Sequence, residues 1–310
     1  MTTPSTQSLS VSVVIPLYNK ESTIAAALEC IFAQTFPVRE IIIINDGSTD
    51  NSVRVLEQFE DPRIKLHQQP NRGVGAARNT GWQMSSSNWI AFLDADDLWK
   101  PQFLEQAMKM AHELIHHDIV AVGVTRLDDY GIPWIRANCP TGLIENFFEA
   151  SRTCGRSLLH ASAIVIKKEA LEQVNGFPEN IQFGEDNDTW CRLAWTGPIG
   201  FVEEPLVIRY ELIEGNTSRL PYPVGKTYPA PFRSFRRWKK EGRIPLNLYK
   251  SSRHFVASNT IYYLRQIKQR NNSKVTFLRL LIRFTPICIF APNQFINLIR
   301  QCLPQFNNKI

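Results

Sequence analysis

The sequence predicts an α/β protein in which a largely parallel, Rossmann-like sheet is flanked by helices. Short apolar runs bounded by polar residues recur along the chain, which is the pattern of strands buried on both faces. Segments with apolar residues at helical spacing separate these runs, as in the crossovers that join parallel strands. Polar clusters follow several runs directly, and the carboxyl ends of such strands form the edge where α/β proteins bind ligands.

Strands and helices alternate in the N-terminal part. We predict strands at residues 11–16, 40–44, 64–67 and 89–93, and helices at 21–34, 51–59 and 71–85, the last entered through a loop. Apolar residues at helical spacing support the first helix, and Asp50 can cap the second. This alternation is the basis for the predicted parallel order.

The pattern is less regular in the rest of the chain. We predict a helix at 102–116, a strand at 119–124, a loop at 128–140, a strand at 162–166, a helix at 185–195, an extended segment at 201–210 interrupted by Pro205, and helices at 255–269 and 275–301. The four prolines of residues 221–231 indicate a linker. We therefore expect a larger domain at 1–220 and a helical C-terminal extension at 221–310.

The two parts differ in charge. Residues 1–218 contain 17 Lys and Arg against 28 Asp and Glu, whereas residues 219–310 contain 18 against one acid, Glu241. This asymmetry indicates an anionic partner for the basic part, either nucleic acid or a membrane. Because residues 275–301 include Arg279, Arg283 and Pro286, we predict an amphipathic helix in the headgroup region rather than a membrane span. The alternative is a helix that packs on the larger domain and leaves its arginines in solvent.

The composition is that of a globular cytoplasmic protein. Hydrophobic residues make up 44% of the chain and charged residues 21%, which allows a full core. The six cysteines form no C-x-x-C pair, which argues against a zinc ribbon or a disulfide framework and suits a reducing compartment. Residues 1–10 have no apolar segment of the kind found in signal peptides. We expect a cytoplasmic location, peripheral at the inner face of the cell membrane if the basic part binds lipid.

Three carboxylates, Asp94, Asp96 and Asp97, end the apolar run at 89–93. Acids this close repel one another unless a cation lies among them. Oxygen ligands of this kind suit Mg²⁺ or Mn²⁺, which bind phosphates in turn. The alternative is that Asp96 or Asp97 caps the helix beginning near Pro101, which accounts for one or two of the acids. Because capping does not account for all three, we predict a metal and diphosphate site.

Polar clusters at residues 16–19 and 45–50 follow two other predicted strands. Tyr18 is suited to stacking on a base, and Asp46 to accepting a hydrogen bond from a base N–H. A glycine-rich segment at 71–79 adds Arg78, which is suited to pairing with acids or a diphosphate, although it is equally compatible with a surface position. The segment lacks the third glycine of a dinucleotide fingerprint and the ending of a P-loop.

Taken in order, these motifs resemble those of the family 2 glycosyltransferases, which are inverting nucleotide-sugar enzymes of the GT-A fold. The resemblance covers about residues 9–219. It implies that Asp46 contacts uracil, that Asp94 faces the ribose and that Asp96 holds a divalent cation, Mn²⁺ or Mg²⁺. We assign nucleotide-sugar binding to residues from all the motifs: Pro16, Tyr18, Asn19, Asp46, Arg78, Asp94, Asp96 and Glu185.

The same resemblance implies that Asp186, in the segment Gly184-Glu185-Asp186, is the catalytic base. Chemistry supports this assignment, because a sugar hydroxyl is a poor nucleophile until a carboxylate accepts its proton. A cation on Asp96 would neutralise the leaving diphosphate. The alternative for residues 185–188 is a favourable interaction with the helix macrodipole, a role we assign to Asp188.

Other candidates are weaker. Many family members carry a histidine near an N-x-S segment after the last strand, but residues 209–218 contain none, so Glu211 or Glu214 would replace it or the ligand is missing. His112 and His116 are four residues apart, and a solvated face is the simpler interpretation. His160 can contact the acceptor or be structural, and we place Trp190 in the core.

We therefore predict a glycosyltransferase that moves a sugar from a nucleotide donor, a UDP-sugar, to a glycan or lipid-linked acceptor in cell-surface polysaccharide synthesis. One alternative is a nucleotidyltransferase that makes a sugar nucleotide, but residues 11–19 lack its glycine-rich basic loop. The other is a non-catalytic module that binds a nucleotide sugar or nucleic acid. The presence of both Asp96 and Asp186 argues against it, and the basic part has no nucleic-acid motif.

Overall fold

The computed structural model describes residues 9–117, 119–127, 132, 139–155, 157–181, 184–209, 230–270 and 274–302. Its strands are β1 Val11–Leu17, β2 Glu40–Asn45, β3 Ile64–Gln68, β4 Trp89–Phe92, β5 Asp97–Trp99, β6 Ala121–Leu127, β7 Gly142–Ile144, β8 Ile164–Lys167 and β9 Ile199–Arg209. Its α-helices are α1 Ile24–Phe32, α2 Ser52–Leu56, α3 Val74–Met84, α4 Phe103–Glu113, α5 Phe147–Cys154, α6 Lys168–Val174, α7 Glu185–Ala194, α8 Ala230–Lys240, α9 Leu246–Arg270, α10 Lys274–Cys288 and α11 Pro292–Cys302.

The strands form one sheet in the order β3-β2-β1-β4-β8-β6-β9-β5, and β7 pairs with β9. β1 is parallel to β2 and β4, and β2 is parallel to β3, as the alternating pattern predicts. The other half is mixed, because β8 is antiparallel to β4 and β6 while β9 is parallel to β6 and antiparallel to β5. The α/β class is confirmed. Apolar runs reveal strands but not their direction, which depends on the connections between them.

One alternative and two local predictions differ from the structure. Asp97 begins β5 and α4 follows Gln102, so the alternative in which Asp96 or Asp97 caps this helix is wrong. Pro205 lies within the continuous strand β9, at a point where the register with β6 shifts. Proline has no N–H to donate to the sheet, and such an irregularity is a position where it is tolerated. The helix predicted at 275–301 is divided into α10 and α11, and Pro292 occupies the first position of α11, where its missing N–H costs little.

The described C-terminal helices pack on the larger domain. Trp195, which follows α7, contacts Phe235 and Trp238 of α8 at ring-centroid distances of 6.2 and 5.2 Å. Phe255 of α9 contacts Phe148 of α5 at 5.7 Å. Side chains of α8 to α11 belong to the same hydrophobic cluster as strands of the sheet. One face of these helices therefore packs on the larger domain, as in the alternative to membrane binding. Most of the predicted linker, residues 221–229, lies outside the described residues.

Two further observations concern covalent links and the membrane. Cys139 and Cys154 are joined by a disulfide bond with their Cα atoms 5.2 Å apart, a pairing that the scattered cysteine spacing does not predict. Within the described ranges, no helix combines the length and the apolar character that crossing a bilayer requires.

Candidate active site

The ends of β2, β1 and β4 bring three of the predicted motifs to one edge of the sheet. Asn19 adopts a left-handed conformation with φ 51°, which asparagine tolerates better than most residues. The side-chain oxygen of Asn19 accepts a hydrogen bond from the backbone N–H of Thr49 at 2.7 Å. The backbone N–H of Asn19 donates a hydrogen bond to Ser48 Oγ at 3.1 Å. These bonds join the loops after β1 and β2. Tyr18 remains 44% exposed beside them, as a stacking residue must.

Asp46 is buried and organises the glycine-rich segment. Its carboxylate accepts hydrogen bonds from Gln69 Nε2 at 2.7 Å and from the backbone amides of Arg72 and Gly73 at 2.9 and 2.8 Å. Gly73 has φ 89°, a conformation that favours glycine. Asp46 therefore connects the loop after β2 to the start of α3, a role that the spacing of the motifs does not reveal.

Two of the three acids after β4 each pair with a cationic side chain. Lys20 Nζ lies 2.6 Å from Asp96 Oδ2, and Arg78 donates to Asp94 Oδ1 at 2.7 Å. The sequence analysis does not single out Lys20. Its position directly after Tyr18 and Asn19, in the loop that follows β1, the neighbour of β4, is the signal that identifies it.

Arg78 is the central residue of the site. Besides Asp94, its guanidinium contacts Glu185 at 2.8 Å and lies over the Phe177 ring at 5.3 Å. Its side chain is only 4% exposed, so the alternative of a surface position is wrong. Burial opposes the charge, but the two carboxylates raise the pKa of Arg78 above its ordinary value. Arg78 thereby joins the strand-end acids to the first turn of α7.

The acids at the start of α7 differ in environment. Burial, together with the neighbouring charge of Asp186, raises the pKa of Glu185 to about 7, against the opposing effect of Arg78. Asp186 is half-buried and accepts a hydrogen bond from the Asn187 amide at 2.6 Å. Asp188 is buried and forms an ion pair with Arg192 at 2.7 Å. Its charge is therefore stabilised by this side chain in addition to the helix macrodipole. Asp186 is thus the most accessible carboxylate of the three.

Ser162 is a residue of the site that no sequence pattern marks. Its hydroxyl accepts a hydrogen bond from the Asp94 amide at 3.1 Å, and its carbonyl accepts one from Trp99 Nε1 at 2.7 Å. His160 Nδ1 accepts from the Ser162 amide at 3.3 Å. His160 therefore has a structural contact with the same serine whose hydroxyl positions Asp94.

The remaining predicted residues have simple positions. His112 and His116 are exposed, as expected for a solvated face. Trp190 is fully buried against Phe177, as predicted. Across the part of the chain that the structure describes, no three His, Cys, Asp or Glu side chains form a metal-binding set. Glu211 and Glu214 lie outside that part.

The fold matches that of solved glycosyltransferase structures. TarS of Staphylococcus aureus, in a crystal structure with UDP-GlcNAc, matches 96% of this chain and 91% of its own with a TM-score of 0.74 at 17% identity. The mannosyltransferase PcManGT from Pyrobaculum calidifontis, in complex with GDP-Man and Mn²⁺, matches 97% of this chain and 88% of its own with a TM-score of 0.59 at 19% identity. These likenesses show a glycosyltransferase fold of the GT-A type.

Sequence similarity identifies the family. Residues 12–174 match the sequence model of glycosyl transferase family 2, and the chain belongs to this family. An uncharacterized glycosyltransferase of Rickettsia bellii is 33% identical over 202 residues, which are 63% of this chain and 28% of the relative. YibD, an uncharacterized glycosyltransferase of Escherichia coli, is 43% identical over 104 residues, which are 33% of this chain and 30% of YibD. The matched part thus spans less than a third of either relative. The family is one of glycosyltransferases, which agrees with the predicted class of enzyme.

Proposed function

We propose that the protein transfers a sugar from a UDP-sugar to a hydroxyl group of a glycan or lipid-linked acceptor with inversion, using Asp186 as the general base. The bridge formed by Arg78 between Asp94 and Glu185 carries this proposal. It places Asp94, which follows β4, and Glu185, in the first turn of α7, on one guanidinium although they are far apart in sequence. Asp186 is the next residue after Glu185 and is only half-buried.

In the proposed reaction the acceptor oxygen attacks the anomeric carbon as the bond from that carbon to the diphosphate oxygen breaks. Asp186 accepts the proton of the acceptor hydroxyl, because a neutral hydroxyl attacks too slowly. Tyr18 stacks on the uracil base, and Asp46 holds the glycine-rich segment against the nucleotide. Arg78 fixes Asp94 toward the ribose. TarS, a structural neighbour, has been crystallised with UDP and with UDP-GlcNAc, which supports a UDP-linked donor here.

The acids after β4 fit a divalent cation. Mg²⁺ and Mn²⁺ bind through one or two carboxylates and complete their shell with water and substrate phosphates, so a set of several protein ligands is not required. Asp96 would hold the ion, with Asp94 next to it, and Lys20 would exchange its contact with Asp96 for one with a phosphate. When bound, the ion supplies charge neutralisation for the leaving diphosphate.

Removing the Asp96 carboxylate tests the donor site. A ligand at 100 times its Kd raises the free energy of unfolding by about 2.7 kcal/mol, so UDP with Mn²⁺ is expected to raise the melting temperature of the wild type clearly. Asp96→Ala is expected to lose the Mn²⁺-dependent part of this shift. Glu57→Ala, which removes an exposed acid at the end of α2, serves as the control. An equal Mn²⁺-dependent shift in both variants would refute the role of Asp96.

We also propose that the C-terminal helices bind an anionic membrane surface at the inner face of the cell membrane. One face of α10 and α11 is buried, with Phe284 and Leu298 in the core. The opposite face exposes large apolar side chains next to the exposed Arg279 and Arg283. We call the exposed apolar residues of α10, of α11 and of the turn between them the apolar stripe: Leu278 and Ile282 of α10, Ile289 of the turn and Ile296 of α11. Apolar residues flanked by arginines are typical of helices that lie in the headgroup region.

Charges placed in the apolar stripe test the membrane proposal. Leu278→Asp/Ile282→Asp is expected to weaken binding to vesicles of anionic phospholipid at least about tenfold, because each buried apolar side chain contributes about 1.5–3 kcal/mol. Co-sedimentation with the vesicles measures the effect. Leu246→Asp is the control, since Leu246 is 94% exposed on α9, outside the stripe. If the double variant sediments like this control, the stripe does not contact lipid.

A further inference from the structure

Lys20 is the cationic partner of the carboxylate that we assign to the divalent ion. Its Nζ lies 2.6 Å from Asp96 Oδ2, and the two side chains are only 14% and 16% exposed. Water and salt weaken an ion pair on the surface, but they weaken a poorly solvated pair much less. The charge of Asp96 is therefore already balanced by a side chain of the protein.

Hydrogen bonds fix the backbone of Lys20 between two helices. Its N–H donates to Ser52 Oγ at 2.8 Å, and its carbonyl accepts from the amides of Thr23 and Ile24 at 3.1 and 3.0 Å. Ser52 begins α2 and Ile24 begins α1. The lysine stem is flexible, so the ammonium is able to leave Asp96 while the backbone stays in place.

The neighbouring carboxylate is also paired. Asp94 Oδ1 accepts a hydrogen bond from the buried guanidinium of Arg78 at 2.7 Å. A divalent ion that approaches Asp94 and Asp96 alone therefore meets two carboxylates that each have a protein cation. Mg²⁺ and Mn²⁺ take most of their other ligands from water and substrate phosphates, so the diphosphate brings ligands that these acids do not supply.

We propose that Lys20 competes with the divalent ion for Asp96 and that the donor diphosphate ends this competition by binding the ammonium. This inference rests on the proposed function and adds how the donor site assembles. The diphosphate attracts the ammonium away from Asp96 and at the same time supplies oxygen ligands to the ion. The ion and the nucleotide thus bind as a unit, and each raises the affinity for the other by the same factor.

Mn²⁺ binding with and without UDP tests the inference, with the free ion measured by its electron paramagnetic resonance signal. Without UDP, Lys20→Met is expected to bind Mn²⁺ at least about tenfold more tightly than the wild type, because Asp96 then has no competing cation. With saturating UDP this gain is expected to disappear, because the wild-type ammonium is then on a phosphate.

Two further variants control for the charge and for the substitution itself. Lys20→Arg keeps the positive charge and is expected to bind Mn²⁺ as weakly as the wild type without UDP. Lys109→Met removes an exposed ammonium from α4 and is expected to bind Mn²⁺ like the wild type in both conditions.

The outcomes are distinct. Equal Mn²⁺ affinity of Lys20→Met and Lys109→Met without UDP overturns the inference. An equal gain with and without UDP also overturns it, because Lys20 would then stay on Asp96 beside the nucleotide. Weaker binding in both conditions would show a purely structural role and count against it as well. Failure of the proposed donor site is measured separately, since Asp96→Ala would then keep the Mn²⁺-dependent stabilisation by UDP.

Discussion

Replacing Asp186 by asparagine is expected to lower the rate of sugar transfer by about 10²–10⁴-fold while leaving the affinity for the donor almost unchanged. Asparagine keeps the size of the side chain and its contact with the Asn187 amide but cannot accept the proton of the acceptor hydroxyl. The readout is the release of UDP from a UDP-sugar that the wild type turns over, together with the Kd for UDP. The control is Glu172→Gln, which neutralises an exposed acid on α6.

A loss of UDP affinity in Asp186→Asn would show that this side chain belongs to the donor site. A rate like that of the wild type would exclude it as the base. Glu185 cannot easily replace it, because its carboxylate is buried against Arg78.

Replacing Arg78 by methionine is expected to lower the free energy of unfolding by about 3–5 kcal/mol. The methionine retains much of the apolar volume but leaves Asp94 and Glu185 without their common cation. Urea unfolding measures the change. Arg72→Gln is the matched control, because Arg72 pairs with Glu179 while 51% exposed, and such surface pairs contribute about 0–1 kcal/mol.

The loss in Arg78→Met is also expected to depend on pH. The pKa of Glu185 is raised from 4.5 to about 7 even with Arg78 present, so the folded state already binds more protons than the unfolded state in this range. Without Arg78 this pKa rises further. At pH 5 Glu185 is protonated in both the wild type and Arg78→Met. The loss of unfolding free energy in Arg78→Met should therefore be smaller at pH 5 than at pH 8, where the wild type has the charged carboxylate paired with Arg78. A difference that is constant with pH, or as small as in Arg72→Gln, would contradict the bridging role.

The strand-end motifs show how much of the site is predictable. Tyr18, Asp46, Asp94 and Asp96 follow apolar runs that are in fact neighbouring strands, and parallel strands place their carboxyl ends at one edge. The order of motifs was enough to predict the family. Lys20 and Ser162 were not predicted, because a single lysine or serine has no pattern until its partner is known.

Local patterns also misled in identifiable places. Asp97 was compatible with a helix cap, but pairing with β9 makes it the start of a strand. α8 was not predicted, because its apolar residues are embedded in a basic segment after several prolines, and it is packing against Trp195 that stabilises it. The disulfide between Cys139 and Cys154 joins positions whose spacing carries no signal.

The sequence by itself determined the α/β class, the helices α1 to α3 and strands β1 to β4, and the acids that follow these strands, because apolar periodicity and residue chemistry are local properties. Only the tertiary structure decided the directions of the later strands, the burial of one face of the C-terminal helices and the partners of Arg78. Arg78 and Glu185 are 107 positions apart, and no local pattern encodes a contact of that separation. The contact forms because the sheet and α7 exclude water from the guanidinium of Arg78. A buried charge of this kind is stable only when carboxylates pair with it.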